Sequence, residues 1–258
     1  MTDLPPRRPW PPNFPDVLVL AAQQDRDAHP SYLKAKTGSA GDALRLILDL
    51  VTSDADLAAI PEHFRGRRPT VVPVVADENV LVNDSADFNT IPPTLALFVG
   101  MNADLPVQFD RVVQTNKVGH TRAPAFQRIV TPARFAGALV AGMDYLLVDD
   151  HVGMGGTLAS LRGYVEHMGG TVVGMICLTA SPGSAKIALQ SDTLDMIRQK
   201  HGPALDSFWQ TEFGYGLDCL TNREAQHLCR QPSVDAIKDL LAKAAVEARG
   251  RGLAAAVG

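Results

Sequence analysis

Two adjacent carboxylates followed at short spacing by glycines and a hydroxyl carry the clearest chemistry in this sequence: Asp149, Asp150, His151, Val152, Gly153, Met154, Gly155, Gly156 and Thr157. Glycines let a backbone approach a ligand without a Cβ in the way. A turn of this kind at the start of a helix gathers several N–H groups around one point, and that point attracts an anion. Thr157 adds a hydroxyl. Residues Gly153, Met154, Gly155, Gly156 and Thr157 therefore read as a phosphate cup. Asp149 and Asp150 would repel a phosphate, so they must face another part of the ligand. A ribose diol offers two hydroxyl donors to two acceptors and is the natural partner. No lysine follows the glycines, which argues against a nucleoside-triphosphate P-loop, and Leu158 stands where a dinucleotide fingerprint needs Gly or Ala. The alternative is a tight turn without a ligand, but paired acids at a buried edge are costly without a partner. His151 either serves as general acid or base, orienting or deprotonating a nucleophile, or simply packs and caps.

These residues need a strand before them and a helix after them. Tyr145 to Val148 is an apolar strand that ends in the acids, and Thr157 to Met168 is a helix burying Leu158, Leu161, Val165 and Met168, stopped by Gly169-Gly170. Val172 to Leu178, Thr70 to Val75, Val17 to Ala22 and Phe109 to Gln114 read as further strands. Asp42 to Val51 reads as a helix with Leu44, Ile47, Leu48 and Val51 on its buried face, and Thr90 caps a helix over 91–101 with Pro92 and Pro93 in its first turn. Alternating strands and helices predict an α/β fold with a mainly parallel sheet of about five strands flanked by helices. Ligands of such sheets bind beyond the carboxyl ends of the strands, where Asp149 and Asp150 stand.

Two long polar segments interrupt the pattern. Ala76 to Asn89 is a loop without Lys or Arg, and Asn116 to Pro132 is a basic, mobile excursion with Lys117, Arg122 and Arg128. Beyond Ala180 only helices are expected, over 192–200, 205–213, from a capping box at Thr221 and Glu224, and from Ser233 to about Arg249. The chain thus divides into a flexible proline-rich arm over 1–16, an α/β domain over 17–180 and a helical appendage over 181–258. Trp209, Phe213 and Tyr215 either stack on a flat ligand or pack the appendage on the core.

Composition narrows the function classes. The chain has 258 residues, 46% hydrophobic and 20% charged, enough apolar material for a full core. A net charge of −4 without a long basic run disfavours nucleic acid as a partner. No apolar run reaches the length of a membrane span, and Met1 to Pro15 lacks the apolar stretch of an export signal. Cys177, Cys219 and Cys229 match neither a zinc set nor a disulfide framework. A cytoplasmic protein with buried free thiols is expected.

The stretch Tyr145-Leu-Leu-Val-Asp-Asp-His-Val-Gly-Met-Gly-Gly-Thr157 resembles the phosphoribosyl-pyrophosphate motif of type I phosphoribosyltransferases: hydrophobics, two acids, two variable residues, then a small-residue loop ending in Thr or Ser. The likeness extends through Val71–Val74, Asn89–Pro92, Gln114–Thr121, Arg128, Glu212–Tyr215 and Leu220–Glu224, and is strongest to bacterial members of undefined acceptor, of a kind carried on mobile elements. The resemblance implies transfer of 5-phosphoribose from phosphoribosyl pyrophosphate to a nitrogenous acceptor, with Mg²⁺ carried by the donor and a homodimer as a possible assembly. It gives Asp149 and Asp150 the ribose hydroxyls, residues 153–157 the 5′-phosphate, and the loop beginning at Ala76 and Asp77 the pyrophosphate. Lys117 and Arg122 become cations of a closing lid. Two departures stand out. Gly153 replaces the acid that several purine-specific relatives carry, and the 76–89 loop brings no cation to a pyrophosphate. A non-catalytic sensor of the same ligand and a nucleoside-phosphate hydrolase or phosphorylase are the rival readings.

Overall fold

A computed structural model describes residues 7–64, 66–77, 88–109, 112–118 and 123–256. Its centre is a parallel sheet of four strands in the order β1–β6–β5–β2: β1 (Leu18–Val19), β2 (Thr70–Pro73), β5 (Asp144–Val152) and β6 (Thr171–Ala180). The two central strands are apolar on both faces, as a sheet covered on both sides requires. Leu146 and Val148 point into a cluster with helices α3 (Ala40–Leu50), α4 (Asp54–His63) and α5 (Ile91–Ala103). Tyr145 and Leu147 point into a second cluster with Leu158, Leu161 and Val165 of helix α7 (Gly156–His167). Ahead of α3 lie two short helices, α1 (Gln23–Ala28) and α2 (Tyr32–Lys36).

The fifth strand position is filled only in part. Along the free edge of β2, the Val71 N–H donates to the Pro106 carbonyl, the Val71 carbonyl accepts the Gln108 N–H, and Gln114 and Asp77 continue the ladder (2.7–2.9 Å). The chain then leaves that edge, and β3 (Val112–Gln114) pairs antiparallel with β4 (Phe135–Gly137) as a separate two-stranded sheet. The expected five-stranded parallel sheet is therefore four strands plus this ragged edge.

Past Ala180 the chain is helical: α8 (Ser191–Phe213), α9 (Asn222–Cys229) and α10 (Val234–Gly250). Gly202 breaks α8 with a non-helical backbone, which separates the two expected helices. The capping box at Thr221 and Glu224 and the Ser233 cap are both formed. These helices share a core with α6 (Ala125–Val130), whose Ile129 and Val130 are buried among Leu205, Trp209, Leu228 and Leu241. The appendage thus packs as part of the body, and the excursion expected over 116–132 is corrected: its last third is a packed helix.

Other expectations shift as well. On α3 the buried residues are Ala43, Leu46 and Ile47, while Leu44 and Leu48 are about half exposed (46% and 52%). Two leucine stripes overlap on this helix, and the side that includes small Ala43 packs closest. Met168 is on the surface rather than in the core. Thr90 does not cap α5; its hydroxyl instead donates to the carbonyl of Ala35 (2.8 Å).

The proline-rich arm is pinned from Arg7 onward, correcting the flexible arm for residues 7–16. Trp10 Nε1 donates to the Leu220 carbonyl (2.7 Å), and the Arg162 guanidinium donates to the carbonyls of Arg8 and Pro9 and lies over the ring of Trp10. Among the described residues no helix is long and apolar enough to cross a membrane.

Candidate functional site

Strand β5 runs through both acids to Val152, so Asp149 and Asp150 leave opposite faces of its carboxyl end. Asp150 extends the Leu146–Val148 row toward α2, where Lys36 Nζ donates to its Oδ2 at 2.7 Å. Asp149 extends the other row, and its Oδ1 accepts the N–H of Asp150 (2.8 Å). Both carboxyls are buried. Burial and the neighbouring Asp150 push Asp149 well above the usual carboxylate range. Burial pushes Asp150 the same way, but the Lys36 ammonium outweighs it and holds Asp150 low.

His151 is bound at both ring nitrogens, Nδ1 to Thr179 Oγ1 (2.9 Å) and Nε2 to Ser181 Oγ (3.1 Å). Arg26 donates to Thr179 Oγ1 (2.6 Å) and so takes a lone pair of that hydroxyl, leaving its hydrogen for Nδ1 or the Asp150 carbonyl. Burial, with Arg26 nearby, lowers His151 to about 4, so the ring is neutral at physiological pH. It is built as a fixed element of the strand end. An open cavity of about 550 Å³ lies next to this network at the carboxyl ends of β1 and β6, lined by Val19, Ala21, Gln23, Asp27, Ala180 and Pro182.

The glycine loop opens α7. Gly155 is its N-cap, with φ +80°, a left-handed conformation that disfavours any Cβ. Among the described residues no protein acceptor meets the N–H groups of Gly153, Met154, Gly155, Gly156 or Thr157, and the Thr157 hydroxyl is likewise unpartnered. Five backbone donors at a helix N-terminus, all on half-buried or buried residues and without an acceptor among the described residues, form a cup whose chemistry suits an anion. A further donor stands over its entrance: Nη1 of Arg128 lies 3.0 Å from where a Cβ of Gly153 would be. Arg128 comes from α6 and has no carboxylate partner among the described residues; its Nε donates to the Ala123 carbonyl.

The back of the loop is closed by residues distant in sequence. Thr221 Oγ1 donates to the Met154 carbonyl (2.6 Å) while accepting the Glu224 N–H (3.1 Å). Glu224 completes the capping box and forms a buried ion pair with Arg7 (2.6 Å), whose Nη2 also donates to the Gly156 carbonyl (3.2 Å). A Cβ on Gly155 would fall 2.9 Å from Ile187, and one on Gly156 would fall 2.8 Å from Glu224. The glycines are thus required by the clamp as well as by the turn.

The structure brings Asp149, Asp150, His151 and residues 153–157 together at one end of the sheet. Ala76 and Asp77 follow β2 at the same end, held through the ladder to Gln114. Lys117 is exposed beyond β3. Arg122, and residues 78–87 of the expected pyrophosphate loop, lie outside the described residues. Trp209 is fully buried and stacks on Phe213 (4.2 Å), so the packing alternative holds for it. Phe213 and Tyr215 line a cavity of about 50 Å³ with Arg7 and Arg134. Sequence reasoning missed Lys36, Arg26, Arg7 and the loop-facing role of Thr221 and Glu224. Only the last pair had a visible signal, the capping box; the others depend on tertiary approach.

Among the described residues no group of three His, Cys, Asp or Glu is placed to hold an ion, and Asp150 already faces an ammonium. A Mg²⁺ would fit here as part of a diphosphate ligand, using that ligand's oxygens.

No family model matches the chain. It is 40% identical over 245 residues to protein TraN of Escherichia coli, covering 95% of this chain and 53% of that protein. It is 33% identical over 159 residues to an uncharacterized protein of Haemophilus influenzae, covering 62% of this chain and 34% of that protein. The chain spans about half the length of the first of these curated relatives and a third of the second. Similar solved structures include a hypoxanthine phosphoribosyltransferase of Staphylococcus aureus (TM-score 0.32, 13% identity, 67% of this chain and 72% of that one). Others are an adenine phosphoribosyltransferase of Leishmania donovani (0.32, 16%, 60% and 63%) and an orotate phosphoribosyltransferase of Aeropyrum pernix (0.29, 16%, 55% and 67%).

Proposed function

We propose that this chain binds phosphoribosyl pyrophosphate and transfers its 5-phosphoribose to a nitrogenous acceptor, releasing pyrophosphate. The observation that carries the reading is the run of five N–H groups over Gly153–Thr157 without an acceptor among the described residues, two residues after two buried carboxylates. Donors there suit a 5′-phosphate, and acceptors next to them suit the ribose hydroxyls. The resemblance of Tyr145–Thr157 to the phosphoribosyl-pyrophosphate motif supports the same assignment.

In this reaction the bond from C1 to the pyrophosphate oxygen breaks, and pyrophosphate leaves with the electron pair. The acceptor nitrogen forms the new bond to C1 and gives up its proton. Positive charge develops on the sugar between these events. An ionised Asp150 beneath the ribose stabilises that charge, while the loop amides and the fixed 5′-phosphate hold C1 in place. Mg²⁺ would arrive with the donor and neutralise pyrophosphate oxygens. The acceptor's proton goes to an oxygen of the departing pyrophosphate, since both nitrogens of His151 are engaged. That engagement favours one second reading, a sensor that binds the same ligand without turnover.

Calorimetry on the double variant Asp149→Asn, Asp150→Asn tests the assignment. Phosphoribosyl pyrophosphate should bind at least about tenfold more weakly, because hydrogen bonds to charged acceptors are lost. Sulfate should bind as well as before or better. Equal loss of both ligands would mean that the acids only hold the loop in shape. Release of pyrophosphate with an added base then separates the transferase from the sensor.

A further inference from the structure

We propose that the cavity walled by Arg7, Arg134, Phe213 and Tyr215 is a second binding site, one that takes a small carboxylate with a short apolar body. The cavity has a volume of about 50 Å³, room for roughly four water molecules. Ser160 of α7 stands on one side of it and the chain that follows α6 on another. Arg134 is fixed there by its backbone. Its N–H donates to Asn116 Oδ1 (2.7 Å), and its carbonyl accepts the Thr115 N–H (2.8 Å). Its guanidinium, in contrast, has no hydrogen bond and no ion pair among the described residues, and its Nε is buried without an acceptor. A charged donor out of reach of both water and protein acceptors is costly. A carboxylate in the cavity satisfies it, accepting from Nε and an Nη side by side.

Charge sets the class of ligand. The second guanidinium on the wall, Arg7, is already neutralised by Glu224 at 2.6 Å and spends further donors on Ser160 Oγ and the Gly156 carbonyl. That leaves one unopposed cation, Arg134, which matches one negative charge. A phosphate dianion would exceed it and would meet the field of Glu224 behind Arg7. The Tyr215 hydroxyl has no partner among the described residues. Burial pushes this phenol up to about 12, so it keeps its proton and can donate to the second carboxylate oxygen. The wall around Phe135 and Phe213 is apolar and suits a short alkyl body. The site is distinct from the phosphate cup. In a helix the carbonyls and the N–H groups point in opposite directions, and Arg7 meets α7 through the Gly156 carbonyl, away from the loop amides.

Ligand-observed NMR on the full chain with propionate and its neutral isostere propionamide tests the proposal. Propionate should bind at millimolar concentration or tighter, and propionamide at least about tenfold more weakly. Arg134→Met should weaken propionate at least about tenfold, while Arg134→Lys keeps part of the affinity. The Arg134 guanidinium bonds nothing else in the described chain, so Arg134→Met should melt close to wild type, and its loss of binding then reports the site rather than the fold. Tyr215→Phe removes only the hydroxyl and should weaken propionate several-fold, which carries the test if Arg134→Met melts early. Saturating ribose 5-phosphate should leave propionate in place; displacement would put the carboxylate in the glycine cup and overturn the proposal. No binding of propionate, equal binding of propionamide, or wild-type affinity in the folded Arg134→Met or Tyr215→Phe variant would each overturn it as well. A chain that takes propionate but no ribose 5-phosphate would leave this site standing and count against the phosphoribose reading.

Discussion

Thr221→Val isolates the clamp that holds the glycine loop. The substitution keeps the shape of a fully buried side chain and removes its hydroxyl. Two hydrogen bonds go with it: the 2.6 Å donation to the Met154 carbonyl and the 3.1 Å acceptance from the Glu224 N–H. Loss of the helix cap costs about 0.5–2 kcal/mol, and an unpaired Met154 carbonyl costs about 1–3 kcal/mol. The sum is roughly 1.5–5 kcal/mol. For a chain of this size that lowers the melting temperature by roughly 3–20 °C. Urea unfolding gives the free energy, and titration with ribose 5-phosphate gives the state of the loop. Affinity should fall several-fold because the amides of residues 153–157 lose a fixed geometry. Thr221→Ser keeps the hydroxyl and should stay within about 1 kcal/mol of wild type. If Thr221→Val unfolds like wild type and binds the anion equally well, the clamp has no energetic meaning and the loop is positioned by something else.

Further outcomes follow from the same geometry. Gly155→Ala puts a Cβ at φ +80° and 2.9 Å from Ile187, so it should cost about 1–3 kcal/mol in urea unfolding and weaken sulfate binding in parallel; an unperturbed variant would show that the loop relaxes freely. Glu224→Gln leaves the buried Arg7 charge without its partner and should cost about 3–5 kcal/mol, with part recovered in the double variant Arg7→Met, Glu224→Leu. Asp149→Asn changes the pH profile. An acid whose folded pKa lies above its ordinary 3.8 contributes stability below that value and loses it as pH rises through the folded pKa. Stability of Asp149→Asn relative to wild type should therefore increase as pH climbs above 3.8. A constant difference across the range would mean that Asp149 ionises there as easily as in the unfolded chain.

The central strand-loop-helix was legible because several signals coincide within a few residues. The apolar run before Asp149, the glycines after it and the amphipathic helix beyond all point to one structure, and the chain forms it. Elements with a single signal were less well read. The leucines of α3 permit two overlapping faces, and only packing against the sheet selects the one with Ala43 and Leu46. Thr90 looked like a cap because of its type and place, but its hydroxyl serves a contact with Ala35, 55 residues away. Lys36 and Arg7 were not readable at all. Their meaning lies in partners 114 and 217 residues distant, and no local pattern marks a lysine at the end of a short helix as part of a site. The proline-rich arm misled for a related reason: composition reports flexibility of the isolated segment, whereas Arg7 and Trp10 are anchored by tertiary bonds.

The most direct test is a crystal structure of the chain with ribose 5-phosphate. The phosphate should sit on the N–H groups of Gly153 to Thr157, with the ribose hydroxyls within hydrogen-bond distance of Asp149 and Asp150. A sugar phosphate bound elsewhere, with those amides empty, would contradict the phosphoribose reading.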